Sequence, residues 1–478
     1  MVLEFRFVVP VLVLLVLTML VLEWMQVSNS SVSQDLAAAV RSIEQKVDRS
    51  NQLVDKAWAA AADAKAAADA AALELKAAAA LSRAEATRAT APPVTAAPKL
   101  TSRHFAAPAQ TLAPYGKRFH FVFSSDCRWP PKAHWQSVAL LKSFFDSQMA
   151  SAVITEVISC HDTAWQPYWF DHLTPAELAR TRYWVAPTRN PHPITKDEYA
   201  PQNKPFGLRN WNDFVGGPHD DDIVVLTDWD NIYVRPFPLE ALTEVRDGFP
   251  QGALYGLGMG WATNEIANTV CPDWCPNKTD DERNAVGAIG PPHAWTAHDF
   301  RQMLPLWQNY TEWIRSDQTS REVGGWTSDM YAYMITALRL GYRHTIHASW
   351  MLSSSHPYEW DHQRSFTPPV VLHYCQTYRV GEWHFYKYDI SFYDALACDF
   401  PLLAEPPRLV GNASDIAEVN TADIWIAHSL VMYVNNAFVW YKRRACRPDW
   451  PAKLTTRWQP KSDTVGESHN STQLKPGP

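Results

Sequence analysis

The chain has 478 residues and a formal net charge of −7 at pH 7. This length is enough for one large or two ordinary domains. The negative charge argues against nucleic acid as the main partner, because binding to a phosphate polymer requires a basic surface.

An apolar run at the amino terminus predicts a membrane anchor. Residues 7–22 are nearly all apolar, and no Ala-x-Ala cleavage site follows them. The alternative is a signal-peptide core of about 7–15 residues, whereas a spanning helix needs about 20. We interpret residues 7–24 as an uncleaved signal anchor that follows a short cytoplasmic tail, residues 1–6. Because so short a span suits a thin membrane, we expect a single-pass type II protein of the endoplasmic reticulum or Golgi with a lumenal catalytic domain.

Residues 25–91 predict a helical stem. Between residues 31 and 90 alanine dominates and neither Gly nor Pro occurs, which favours a continuous helix. Val40, Val47 and Val54 are seven residues apart, and β-branched residues at this heptad position favour a parallel dimer. The heptad positions beyond Trp58 are almost all alanine, which would pack poorly between two helices. Two alternatives therefore stay open: a single solvated helix and a homodimer formed through the stem.

The segment after the stem is rich in proline. Five prolines in residues 92–116 predict a stiff, extended linker. From residue 117 onward the residue composition is typical of a folded domain. We expect a catalytic domain over residues 117–451 and a disordered tail over residues 452–478.

The cysteines and glycosylation motifs favour an oxidising, lumenal environment. The chain has seven cysteines, an odd number that leaves at least one without an internal disulfide partner. Cys271 and Cys275 predict a local disulfide rather than a zinc site, because no second pair completes a set of four ligands. Asn-x-Ser/Thr acceptors occur at Asn29, Asn277, Asn309, Asn412 and Asn470.

The folded part alternates between predicted strands and helices. Four apolar segments predict strands, at residues 119–123, 153–159, 183–185 and 222–226. This alternation predicts a mostly parallel α/β sheet, and ligands of such sheets bind at the carboxyl ends of the strands. Asp126 and Asp228 follow two of these strands, so we expect both at the ligand-binding edge and assign Asp126 to the cofactor-binding residues.

The segment from Asp222 to Asp230 carries the strongest chemical signal. Its apolar residues predict a strand that delivers Asp228 and Asp230 to an exposed end, where two side chains one residue apart point to the same side. Two carboxylates suit Mn²⁺ or Mg²⁺, and the remaining coordination positions of the metal suit a diphosphate. The bound metal would neutralise a departing nucleoside diphosphate, which glycosyl transfer requires.

Two other segments offer partners for this metal and its ligand. Asn203 and Lys204 precede the strand, and Lys204 is a candidate to contact the donor phosphates, with a solvated loop lysine as the alternative. His373 ends a predicted strand at residues 370–374 and is a candidate third metal ligand. The alternative for His373 is a structural hydrogen-bonding role, which is commoner for a lone histidine.

Two more candidates come from the second half of the chain. Asp329 follows a pair of glycines and lies in the first turn of a predicted helix that ends at Leu340. It is either a site carboxylate or an acid that favours the helix start. Trp383 and Lys387 lie in a short polar and aromatic segment that we interpret as a lid over the phosphates.

Several short motifs between residues 119 and 451, taken together, point to one family of proteins. They are Trp135-Gln136, Ile158-Ser159-Cys160, Asn203-Lys204-Pro205, Leu226-Thr227-Asp228-Trp229-Asp230, Ser328-Asp329-Met330-Tyr331, Leu372-His373-Tyr374, Cys398, Glu405-Pro406-Pro407, Val434-Asn435-Asn436 and Cys446-Arg447-Pro448. On these motifs the chain resembles the plant and algal peptidyl serine alpha-galactosyltransferases, with the related hydroxyproline O-arabinosyltransferases as a second branch. The resemblance does not include the stem. Asp329 stands where the family usually has Glu, and Asp-Trp-Asp at 228–230 leans to the serine branch.

The resemblance implies a glycosyltransferase A-type, Rossmann-like domain that binds a nucleotide-sugar. It implies Mn²⁺ or Mg²⁺ held by Asp228, Asp230 and His373, and a UDP-sugar donor, with UDP-galactose as the best match. The acceptor would be a Ser/Hyp-rich glycoprotein, and Asp329 would be the general base if the enzyme inverts. Hydroxyproline O-arabinosyl transfer is the alternative reaction. A sugar-binding protein of the same fold without turnover is the alternative class.

Overall fold

The computed structural model describes residues 117–128, 132–149, 151–259, 265–354, 368–407, 421–446 and 457–458. The predicted anchor, stem and linker lie outside these ranges, as does nearly all of the predicted tail. Within the ranges that are described, no helix is long and apolar enough to cross a membrane.

The strands belong to one large sheet and three small ones. In chain order they are β1 Arg118–Asp126, β2 Ala152–Cys160, β3 Thr181–Pro187, β4 Asp222–Asp228, β5 Asn231–Tyr233, β6 Gln251–Leu254, β7 Ile289–Thr296, β8 Thr345–His347, β9 Met351–Leu352, β10 Val371–His373, β11 Tyr378–Val380, β12 Trp383–Phe385, β13 Leu402–Leu403 and β14 Arg457–Trp458. The large sheet has seven strands in the order β3-β2-β1-β4-β7-β6-β8. All of its strands run the same way except β7, which is antiparallel to β4 and β6. The predicted mostly parallel α/β sheet and its four predicted strands are therefore confirmed.

Helices cover both faces of this sheet. They are α1 Trp135–Asp146, α2 Pro175–Leu178, α3 Asn203–Val215, α4 Leu239–Leu242, α5 Glu265–Val270, α6 Asp280–Val286, α7 Ala297–Ser316, α8 Gln318–Gly324, α9 Ser328–Leu340, α10 Lys387–Ser391 and α11 Thr421–Ala445. Successive residues of a strand point to opposite faces, so β1 contributes to two cores. Phe121 and Phe123 pack in the core that α1 and α11 cover, whereas Val122 packs in the core that α3, α7 and α9 cover. Burial on both faces explains why β1, β2 and β4 are nearly continuous apolar runs.

The strand that carries His373 lies outside the large sheet. A strand that ends in His373 was predicted, and β10 lies in a three-stranded sheet of order β5-β10-β9. β10 pairs antiparallel with β5, and His373 lies opposite Asn231. Because β5 begins only three residues after β4 ends, this pairing still brings His373 beside Asp228 and Asp230.

All seven cysteines lie in the described residues, and six of them form disulfides. The pairs are Cys127–Cys160, Cys271–Cys275 and Cys398–Cys446, which leaves Cys375 as the free cysteine. The predicted local disulfide is thus confirmed. The first pair joins the residue after β1 to the last residue of β2, so it fixes two neighbouring strand ends at the carboxyl edge of the sheet.

Candidate functional site

Asp228, Asp230 and His373 form a compact cluster at the carboxyl edge of β4. One possible ligand atom from each residue lies within 4.8 Å of the other two. His373 Nε2 is 3.2 Å from Asp230 Oδ1 and 3.8 Å from Asp228 Oδ2. Two carboxylates and an imidazole that converge in this way form a donor set that fits a divalent cation such as Mn²⁺.

The backbone around this cluster is fixed by local hydrogen bonds. The Asn231 side-chain amide donates to Thr227 Oγ1 at 2.7 Å, across the short turn that contains Trp229 and Asp230. The Tyr374 amide donates to the Asp230 carbonyl at 3.1 Å, which continues the pairing between β10 and β5. The two strands therefore hold the carboxylates and the imidazole in place before any ligand is bound.

Two lysines offset the negative charge of the cluster. Lys204, in the first turn of α3, has its Nζ 2.8 Å from Asp228 Oδ1 and 3.4 Å from Asp329 Oδ2. Lys387, the first residue of α10, donates from its Nζ to Asp230 Oδ2. Each lysine thus reaches the site from a helix start and contacts a different metal-site carboxylate. The interpretation of Lys204 as a solvated loop lysine is wrong, because α3 turns it toward the sheet edge.

The charges of these groups are set by burial and by one another. Burial opposes ionisation of Asp230, but the Lys387 ammonium and His373 hold the pKa of Asp230 well below its usual value. Burial would lower the pKa of Lys204, but the neighbouring Asp228 and Asp329 raise it above its usual value. Burial also disfavours protonated His373, whereas Cys375 and Asp230 beside the ring raise the pKa of His373 well above its usual value. The cluster is therefore a set of mutually dependent charges.

Asp329, from helix α9, also lies at this site, where it contacts Lys204. As predicted, it lies in the first turn of α9. Its Oδ1 accepts a hydrogen bond from the Tyr199 hydroxyl at 2.8 Å, and its carbonyl accepts one from the Trp307 indole at 2.7 Å. Burial raises the pKa of Asp329 above its usual value, although Lys204 and the Tyr199 hydroxyl act in the opposite direction. Tyr199 and Trp307 were not predicted, because no local pattern distinguishes them from other core aromatics.

Comparison with known proteins finds similarity to the same family that the sequence motifs indicate. The model of the "hydroxyproline O-arabinosyltransferase family N-terminal domain" matches residues 181–346. A peptidyl serine alpha-galactosyltransferase of Arabidopsis thaliana is 27% identical over 343 residues, which are 69% of this chain and 38% of the relative. One of Chlamydomonas reinhardtii is 26% identical over 325 residues, which are 60% of this chain and 40% of the relative. Over these residues the chain is similar to the glycosyltransferases of this family.

The matches cover the family domain rather than whole relatives. The chain spans about two fifths of the length of the two galactosyltransferases. Among solved structures, the galactosyltransferase LgtC matches with a TM-score of 0.35 at 14% identity, over 55% of this chain and 89% of the other. The fold described above therefore rests on the strands and helices of this chain itself.

Asp126 and Asn203 form a hydrogen-bonded pair next to Lys204. Asn203 Nδ2 donates to Asp126 Oδ2 at 2.7 Å, and the Arg128 amide donates to Asp126 Oδ1 at 2.8 Å. Asn203 Oδ1 in turn accepts from the Arg189 amide at 2.6 Å. The pair links the end of β1 to the start of α3, so it helps to hold Lys204. Its predicted contact with the donor stays a prediction.

The segment predicted as a lid contributes one side chain to the site. The Trp383 indole nitrogen donates to the Ala404 carbonyl at 3.1 Å, so it is used within the fold. Lys387, four residues later, is the residue that contacts Asp230. The structure thus brings together six of the predicted residues, namely Asp228, Asp230, His373, Lys204, Lys387 and Asp329.

Proposed function

We propose that the chain is a metal-dependent glycosyltransferase that moves galactose from UDP-galactose to serine hydroxyls of hydroxyproline-rich glycoproteins. The observation that carries this proposal is the buried cluster of Asp228, Asp230 and His373 with a lysine on each side. Similarity to the family and the names of two of the relatives support the reaction and the acceptor. The parallel strands that lead to this edge support a glycosyltransferase A-type domain.

In this proposal, Asp228, Asp230 and His373 hold Mn²⁺ or Mg²⁺. When bound, the metal supplies charge neutralisation for the leaving nucleoside diphosphate. Lys387 contributes a second positive charge at the same place. Burial would lower the pKa of Lys387, but the Asp230 carboxylate raises it above its usual value, so the ammonium stays protonated. Lys204 lies between Asp228 and Asp329 and orients the donor from the other side.

Asp329 has two proposed roles that depend on the stereochemistry. In an inverting reaction it would accept the proton of the acceptor hydroxyl as the general base. In a retaining reaction a phosphate oxygen of the departing group would accept that proton, and Asp329 would position the sugar. The names of the relatives specify an alpha linkage. Since the sugar of UDP-galactose is itself alpha-linked, we favour retention and the positioning role.

Hydroxyproline O-arabinosyl transfer is the second candidate function. The family model that matches residues 181–346 carries that activity in its description, and a hydroxyproline O-arabinosyltransferase of Pisum sativum is 26% identical over 202 residues. The same cluster would serve a pentose donor equally well, because the metal and Lys387 would contact the diphosphate rather than the sugar. A binding protein without turnover would keep the cluster but would release no UDP.

The location also stays a proposal. We propose a single-pass type II protein of the Golgi or endoplasmic reticulum, anchored by residues 7–24 with the catalytic domain in the lumen. Three disulfides in the described residues support an oxidising compartment. Whether the stem pairs two copies is answered by the mass of the full chain in detergent.

The experiment that tests the function uses the purified full chain, Mn²⁺, a panel of UDP-sugars and a Ser/Hyp-rich peptide. We expect a hexose on serine from UDP-galactose, detected by product mass, together with an equal amount of released UDP. A pentose on hydroxyproline would establish the arabinosyl alternative. Binding of UDP-sugars without release of UDP would show that the protein is a binder.

A further inference from the structure

His293 lies on the same face of the large sheet as the metal-site residue Asp228. β7 is antiparallel to β4, and His293 is directly opposite Leu226 in their register. Opposite residues of an antiparallel pair share a face, and so do residues two apart in one strand. Leu226, Asp228 and His293 therefore point toward the helices α3, α7 and α9, which cover this face.

A small cavity of about 20 Å³, enough for a group the size of one water molecule or hydroxyl, opens between these helices and the sheet, next to the metal site. Its lining includes Lys204, Asp228 and Asp329 on one side and His293, Trp307 and Tyr333 on the other. The first group connects the cavity to the proposed donor site. The second group makes a wall of aromatic rings with a single imidazole in it.

One ring nitrogen of His293 is buried without a hydrogen-bond partner in the described part of the chain. Its ring stacks on Trp295, with centroids 5.3 Å apart, and lies 4.5 Å from the Tyr333 ring. The residue is 6% exposed, and Nδ1 is buried with no hydrogen-bond partner in the described structure. An unpaired buried polar atom is costly, so a native protein that keeps one has another use for it.

The chemistry of the cavity identifies the kind of ligand. Burial, with His344 and Lys204 nearby, holds the pKa of His293 well below its usual value, so the ring is neutral and offers one donor and one acceptor. A hydroxyl group has the same two capacities. Asp329 adds an acceptor and Lys204 a donor on the other side of the cavity, so a single hydroxyl group could be bound from both sides.

We propose that this cavity receives one hydroxyl group of the transferred sugar of the nucleotide-sugar donor, and that His293 binds this hydroxyl and so sets the choice of sugar. This inference rests on the proposed function and adds the residue that discriminates between donors. The diphosphate binds at Asp230 and Lys387, outside the cavity. Changes at His293 should therefore affect recognition of the sugar and leave recognition of UDP alone.

The test compares His293→Phe and His293→Gln with the unchanged protein. Phe keeps a ring against Trp295 and Tyr333 but removes both nitrogens, whereas Gln restores one donor and one acceptor. His120→Phe is the matched control, because His120 is also a buried strand histidine. It stacks on Trp211, and its Nε2 is 2.8 Å from Thr155 Oγ1. It pairs with Val224, about 13 Å along β4 from Asp228.

Two quantities are measured in Mn²⁺: the Kd of UDP, and kcat/KM for UDP-galactose relative to UDP-glucose. For His293→Phe we expect an unchanged Kd of UDP and a change of about tenfold or more in the ratio between the two sugars, since an unpaired hydroxyl-binding group lowers discrimination strongly. His293→Gln should move the ratio part of the way back. His120→Phe should leave both quantities unchanged after correction for the folded fraction.

An unchanged sugar ratio in His293→Phe, with normal binding of UDP, would overturn the role of His293. If that variant fails to bind UDP because it misfolds, His293→Gln decides alone, and an unchanged ratio there overturns the proposal. Failure of the unchanged protein to bind UDP or any UDP-sugar would instead contradict the proposed function itself. The two failures are therefore distinguishable.

Discussion

The two ends of β4 carry buried aspartates in opposite situations. At the amino end, Asp222 accepts from Arg118 Nε at 2.8 Å and from the His219 amide at 2.8 Å. At the carboxyl end, Asp228 lies in one site with the carboxylates Asp230 and Asp329, and two lysines offset part of the negative charge of the three.

The difference separates a structural charge from a functional one. Burial disfavours ionised Asp222, but His120, the His219 amide and Arg118 hold the pKa of Asp222 below its usual value. Its partners satisfy it completely within the fold. The carboxyl end instead gathers like charges, which stability alone does not require. The comparison predicts that changes at one end alter stability and changes at the other alter activity.

The largest expected effect is on the metal-site carboxylates. Asp228→Asn or Asp230→Asn should lower transfer on the order of 10²–10³-fold, the scale seen when one electrostatic stabiliser is removed. The fold should persist, as circular dichroism would show. EDTA should have the same effect on the unchanged protein, and full activity in EDTA would remove the metal from the account.

The matched change at the other end of the strand is Asp222→Asn. Transfer per folded molecule should be unchanged, because Asp222 is six residues from Asp228 along β4. If Asp222→Asn lowers transfer as much as Asp228→Asn at a temperature where both are folded, the separation between the two ends is wrong.

His373→Ala should weaken Mn²⁺ affinity by about 10–100-fold, with a smaller effect on stability. His373→Asn should keep part of the activity, since an amide oxygen can still bind a hard cation. Activity should also fall at acid pH as protons compete with the metal for the ring. The measurement is the Mn²⁺ concentration that gives half-maximal rate. An unchanged value with a full maximal rate in the Ala variant would exclude His373 from the site.

Asp329→Asn should reduce transfer less than loss of a metal ligand, by about tenfold if Asp329 only positions the sugar. Asp329→Glu, which restores the family's usual residue, should keep most of the activity. The rate at which each Asp329 variant releases UDP from UDP-galactose without acceptor is the second measurement. A loss in the Asn variant as large as that in Asp228→Asn would favour the general-base role.

The smallest expected effect is on the stability contributed by Asp222. Because the folded-state pKa of Asp222 is lowered from 3.8, its contribution is fully present above that pH and is lost as the pH falls through the folded-state value. We expect Asp222→Asn to cost about 1–3 kcal/mol of unfolding free energy at pH 7 and less near pH 3. Equal losses at both pH values would show that the charge of Asp222 is not what stabilises the strand.

The sequence predicted those parts of the site that follow directly from strand order. Asp228 and Asp230 come immediately after a fully apolar strand, so their position could be inferred from alternation and strand direction. His373 was predicted from its own strand end, but its sheet was not, because pairing between β10 and β5 joins residues about 140 positions apart.

Other parts of the site depend on packing and could not be predicted. Lys204 was chosen for its chemistry, yet its contact with Asp228 exists only because α3 begins beside the end of β4. His293 and Tyr199 carry no local pattern, and their place in the site follows from the antiparallel strand β7 and from the loop before α3. The anchor, the stem and the domain boundaries stay predictions, since they fall on residues outside the described ranges.

The most direct test of the central claim is the binding of UDP to the full chain, measured by calorimetry with and without Mn²⁺. We expect that the unchanged protein and Asp222→Asn bind UDP only when Mn²⁺ is present, and that Asp228→Asn does not bind it under either condition. Equal binding of UDP in EDTA, or equal binding by Asp228→Asn, would contradict a metal-dependent donor site at the carboxyl end of β4.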